Sequence, residues 1–148
     1  MLTLKEAVSE QELADSKDIR RKVFVDEQGT DEAVVFPESD EESTYVIMYN
    51  GAKPVATGRL SFEDGLWMIR AVAVVKEERG TGLGDFLMRY LIRRAFDMGI
   101  DEVYLHASAD IRGFYEKLGF EAAEEPHIDR GAACVLMKRT GDIGGKCC

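Results

Sequence analysis

Three cysteines, two histidines and no long apolar run already narrow what this chain can be. Cys147 and Cys148 are adjacent and Cys134 stands apart, so no disulfide framework can be drawn and a reducing cytoplasm is the expected compartment. A membrane helix needs about 20 consecutive apolar residues, and no such run occurs. Met1 to Glu10 lacks the basic patch and apolar core of a secretory leader. Positive charge is scarce as well. Nineteen Lys and Arg against 28 Asp and Glu leave a formal net charge of −9, which argues against wholesale nucleic-acid binding. An anionic cofactor can still bind through a local site lined by N–H groups and cations. Neither an internal repeat nor a low-complexity block is present, and no companion ligand stands at metal spacing near His106 or His127, so no metal is expected. His127, after Pro126, reads as a plain surface histidine.

What is there fits one globular domain. At 148 residues the chain can bury roughly two thirds of its unfolded surface. Residues 1–140 are read as that domain and residues 141–148 as a flexible tail. Leu2 to Leu4 with Ala7 and Val8 suggest a first strand. Ser9 followed by Glu12 matches a capping box, opening a helix with Leu13, Ile19, Val23 and Phe24 on its apolar side. Asp31 to Ser43 reads as a loop ending in the acidic stretch Glu38 to Glu42, whose charges could steer a cationic amine but are more plainly a solvated surface. Strands are expected over 44–49 and 54–62, turned by Asn50-Gly51, and over 66–75, where only Arg70 breaks an apolar run that suits a central strand. A helix follows with Leu83, Leu87, Leu91, Ala95 and Met98 on one face and Arg89 and Arg93 outside. Val103 to Ala107 is a further strand, Ser108 an N-cap for a helix reaching Lys117-Leu118, and Ala132 to Met137 a last strand. Early strands in a meander and later ones alternating with helices give a mixed α/β sheet covered on both sides.

Chemistry concentrates in Arg79-Gly80-Thr81-Gly82-Leu83-Gly84, between the buried strand and the long helix. Glycine allows close backbone approach, and the first turn of a helix offers unpaired N–H groups to an anion. A dinucleotide fingerprint would need its third glycine where Asp85 stands, and a Walker loop needs Gly-Lys-Ser/Thr, which is absent. Both fail on spacing.

The pattern R-x-x-G-x-G opening a helix resembles the acyl-CoA pyrophosphate loop of the GNAT superfamily of N-acetyltransferases. Gly113-Phe114-Tyr115-Glu116-Lys117-Leu118-Gly119-Phe120 is similar to that superfamily's FYEKLGF segment, and Arg20 to Gly29 (RRKVFVDEQG) is similar to its ElaA-like branch. The resemblance implies a GNAT-type central sheet, mostly antiparallel with helices on both faces. It also implies acetyl-CoA as co-substrate and a primary amine of a small molecule or peptide as acceptor, attacked directly with no covalent enzyme intermediate. The N–H groups of Gly80, Thr81, Gly82, Leu83, Gly84 and Asp85 would bind the pyrophosphate, with Arg79 supplying charge. Val72, Ala73 and Val74 would pair with the pantetheine arm, and Ser108, Phe114 and Lys117 complete the cofactor side.

Tyr115 takes the role of general acid toward the departing thiolate. Glu27 is the candidate base, and Arg70 and Gln28 are candidates for the acceptor side. Read from the residues alone, Phe114 packs in the core, Glu27 is a loop carboxylate and Arg70 a paired structural arginine. Many members carry Asn seven residues before the tyrosine, where this chain has Ser108. The alternative function is a non-catalytic acyl-CoA-binding module on the same fold. A homodimer is the default expectation for assembly.

Overall fold

Ser9 starts the first helix as its spacing predicts. Its hydroxyl accepts from the Glu12 N–H at 3.1 Å, and the Glu12 carboxylate accepts from the Ser9 N–H at 3.0 Å. In the computed structural model, which describes residues 1–36, 43–129 and 132–141, β1 (Leu2–Ala7) leads into this helix, α1 (Glu10–Arg20). Residues Arg21–Glu27 continue it as a π-helical turn, and a short α2 (Glu32–Val35) follows within the expected loop. Then come β2 (Thr44–Asn50), β3 (Lys53–Glu63), β4 (Leu66–Val74), a 3-10 turn at Lys76–Glu78 and α3 (Leu83–Asp97). The chain closes with β5 (Glu102–Ser108), α4 (Arg112–Lys117) and the strands β6 (Glu121–Ala122), β7 (His127–Asp129) and β8 (Ala132–Thr140). The acidic stretch Glu38 to Glu42, and Cys147 and Cys148, lie outside the described residues.

The strands form one sheet in the order β1-β2-β3-β4-β5-β8-β6, with β7 also pairing β8. Every pair is antiparallel except β4 with β5. Side chains alternate across a strand, so adjacent positions in β3 report on both faces. Thr57 meets Ser16 of α1 at 2.6 Å, while a Cβ at the next residue, Gly58, would lie 2.7 Å from Leu91 of α3. The two main helices therefore cover opposite faces, as expected. Ile47, Met48, Leu87, Leu91, Val103 and Met137 are core residues within 1% of full burial. No helix among the described residues is long and apolar enough to cross a membrane.

Four local expectations need correction. Leu13 is 37% exposed and lies outside the core, because α1 buries Ser16, Ile19 and Arg20 instead. Met98 is 43% exposed, since it caps α3 after the apolar face has ended at Ala95. Ser108 is the last residue of β5 rather than an N-cap. Helix α4 starts only at Arg112, after Ile111, and no side chain caps it. Phe114 is 39% exposed and not a core residue.

Candidate active site

Two irregularities in β4 shape the site. Opposite β3, Thr57 pairs with Ala73 and Arg59 with Arg70, so Gly58 faces both Ala71 and Val72 across a bulge. Ala71 sits there at φ +55°, a left-handed conformation costing an alanine about 1–2 kcal/mol. Gly58 has no side chain because Leu91 fills that space. On its other edge β4 meets β5 at one backbone rung, Met68 opposite Tyr104. The parallel strands then part, and the fork between them opens toward the end of β4.

The glycine loop completes that end. Gly80 and Gly82 adopt φ +83° and +86° with open space around each, so conformation rather than crowding requires glycine there. Gly82 is the N-cap of α3 and offers no side chain, leaving the N–H groups of the first turn without a capping acceptor. Asp85 in that turn is engaged at 2.8 Å by Arg89 on the helix flank.

Two chambers follow from this geometry. One, about 410 Å³, runs from the loop along β4. Its walls include Val72, Ala73, Val74, Arg79, Gly80, Gly82, Leu83, Gly84, Asp85 and Phe114, with Val23, Phe24 and Gln28 from the π-helical turn and the residue after it. The second, about 220 Å³, lies in the fork between β4 and β5, among Arg70, Ala71, Val72, His106 and Tyr115. Phe24 and Val72 belong to both, so the chambers meet there. Phe114 and Tyr115, adjacent in α4, face one chamber each.

The remaining candidates fall as follows. The Arg79 guanidinium donates to both Glu27 carboxylate oxygens at 2.6 and 2.8 Å, and its Nε donates to the Val74 carbonyl at 2.9 Å. It thus ties the π-helical turn to β4 and the loop, and it also lines the first chamber. The hydrogen bonds from Arg79 hold the Glu27 carboxyl below the usual carboxylate range, which makes it a weak base. Gln28 lines the loop-side chamber and not the fork. Arg70 donates to Glu63 at 2.9 Å on the wall of the fork. Burial pulls the Glu63 carboxyl up, but hydrogen bonding from Ser61 and the charge of Arg70 outweigh it and hold it low. Ser108 donates to Asp110 at 2.5 Å, and exposed Lys117 lines neither chamber.

Tyr115 is half-buried and packs edge-on against Phe120, with ring centres 6.0 Å apart. Burial pushes its phenol above the ordinary value, so it keeps its proton throughout the neutral range.

Sequence reading misses Val23, Phe24 and Glu78 as wall residues. The first two stand on the π-helical turn, which breaks the 3.6-residue period and redirects side chains, as such turns often do at functional sites. The spacing argument against companion ligands for the histidines also fails. Strand pairing brings His106, His127 and Cys134 together, with their ligand atoms all within 4.8 Å of one another.

Comparison with known proteins gives this geometry a context. The family model described as "Acetyltransferase (GNAT) family" matches residues 10–120. The uncharacterized N-acetyltransferase YjcF of Bacillus subtilis is 32% identical over 134 residues, covering 90% of this chain and 96% of that protein. A Lactobacillus plantarum structure described as a candidate N-acetyltransferase superposes with a TM-score of 0.86 at 26% identity, covering 94% of this chain and 97% of the other. Escherichia coli ElaA gives 0.75 at 23% identity over 94% and 98%.

Proposed function

The chain belongs to the acetyltransferase (GNAT) family, and from that premise we propose that it is a cytoplasmic enzyme transferring an acetyl group from acetyl-CoA to a primary amine of a small molecule or peptide. The observation that carries this reading is the junction at Phe24 and Val72. It joins a chamber headed by an uncapped helix N-terminus to one holding a protonated phenol.

The residues fit the co-substrate. The first-turn N–H groups of α3, presented by Gly82, Leu83, Gly84 and Asp85, suit a pyrophosphate. The edge of β4 at Val72, Ala73 and Val74 suits an extended amide-bearing arm. Acetyl-CoA supplies the activated acyl thioester; the chain orients it and manages protons. Arg79, on the wall of the loop-side chamber, holds the loop against the π-helical turn through Glu27, whose carboxylate is engaged in that pair rather than serving as base. Tyr115 holds a proton in the fork and delivers it to the departing thiolate. One of the N–H groups of Val72 to Val74 would polarise the thioester carbonyl, where negative charge develops. Arg70, anchored by Glu63, forms the polar wall of the acceptor side. Positioned general acid help of this kind is typically worth about 10²–10⁴ in rate.

A thiol-release assay over a panel of small amines and peptide N-termini tests the proposal. Acetyl-CoA-dependent CoA release with at least one amine is the expected result. Tight acetyl-CoA binding with no release across the panel would instead favour a binding module.

A further inference from the structure

Cys134 is directly opposite His127 in the β7–β8 pairing and opposite Ser108 in the β5–β8 pairing. His106 stands two residues before Ser108, so it lies on the same face and diagonal to Cys134. Three adjacent strands therefore present an imidazole, a thiol and a second imidazole in one row. The Cys134 sulfur is 3.9 Å from His106 Nδ1 and 3.9 Å from His127 Nε2, and the two rings meet edge-on with centres 5.1 Å apart. Among the described residues this is the one group of three such ligands gathered closely enough to share an ion.

From this geometry we infer a thiophilic divalent-cation site, suited to zinc, formed by His106 Nδ1, His127 Nε2 and Cys134 Sγ. Zinc–nitrogen bonds of about 2.0–2.1 Å and a zinc–sulfur bond of about 2.3 Å put tetrahedral ligand atoms roughly 3.5 Å apart. The observed sulfur–nitrogen separations exceed that by a few tenths of an ångström, and the two nitrogens, within 4.8 Å of each other, must also draw in, so both rings turn toward the thiol on binding. The Cys134 side chain is buried, at 8% exposure, where a metal would hold it as thiolate.

A second observation points the same way. The other nitrogen of His127, Nδ1, is buried without a hydrogen-bond partner, and the Glu124 carboxylate stands 3.4 Å away, close enough for a small shift to make the bond. A ligating histidine usually turns its second ring nitrogen to a carboxylate in this manner, which fixes its orientation. A soft thiolate with two imidazoles favours zinc over magnesium or calcium. Three protein ligands leave a fourth position for water or another small ligand, and His106 also lines the fork that holds Tyr115. The site stands independently of the acetyl-transfer reading.

Reduced, metal-free protein titrated with Zn²⁺ should bind one equivalent per chain. Co²⁺ should give a thiolate-to-cobalt charge-transfer band with the intense visible bands of four-coordination. Cys134→Ser should remove that band and weaken Zn²⁺ binding at least ~100-fold, since even loss of an outer carboxylate costs about 10–100-fold. Glu124→Gln, at the surface, should weaken it by that smaller factor and keeps the test open if Cys134→Ser fails to fold. Absence of a bound equivalent would overturn the site. So would a cobalt band that survives Cys134→Ser, or binding that disappears on replacing Cys147 and Cys148 instead.

Discussion

At the scale of single residues, Tyr115 and Glu27 carry opposite expectations. Tyr115 is half-buried with a phenol pushed up by burial, so Tyr115→Phe keeps the packing and removes only the proton. Steady-state kinetics should show kcat lower by about 10²–10⁴ with little change in acetyl-CoA affinity; an unchanged kcat removes Tyr115 from the reaction. Glu27 is bound at both oxygens by Arg79. Solvent screens so exposed a pair, so Glu27→Gln should barely move the thermal midpoint. It should raise KM for acetyl-CoA several-fold through a looser loop while kcat holds. A collapse of kcat at unchanged KM would make Glu27 the base after all. Arg79 and Glu27 are 52 residues apart, with three strands between them, so their pairing depends on the tertiary fold, which local sequence does not reveal.

Among elements, β4 shows what a local pattern conceals. Its apolar run was enough to place it mid-sheet, and its central position in the strand order agrees. Nothing in the letters Arg70-Ala71-Val72 announces a bulge, because alanine gives no hint of a left-handed backbone. Ala71→Gly should leave stability within about 1 kcal/mol, as relief of the αL cost offsets the greater chain entropy of glycine. Ala71→Val should lose about 2 kcal/mol or more in denaturant unfolding, since a β-branched residue tolerates that conformation badly. Equal stability of the two variants would mean that Ala71 is not held in the left-handed region. The glycine loop, by contrast, was legible because strand, turn and helix start are adjacent in the chain. The His106, His127 and Cys134 row was not, since it depends on the registers of two strand pairs. The π-helical turn escaped notice because Ile19 and Val23 already fit the i, i+4 spacing of an ordinary helix.

For the molecule as a whole, acid is the informative stress. Glu12 is held down to about 2 by its hydrogen bond with Lys5 and by the N–H groups of Ser9 and Val8. Glu27, Glu63 and Glu77 are also held below the usual value. A carboxylate with a lowered folded pKa gives its full stabilisation above its unfolded pKa and loses it as pH falls through the folded one. The thermal midpoint should therefore stay nearly level from pH 7 to about 5, then fall steadily below about 4.5. A midpoint that climbs between pH 5 and pH 3 would contradict these assignments. Strands β1 to β4 and strands β5 to β8 are two leaves joined by one backbone rung, Met68 to Tyr104, and bridged by α3, which springs from one leaf and leads into the other. A molecule lying in the fork touches both leaves at once. Its binding stitches a seam that the polypeptide leaves open, and its release unpicks the same seam.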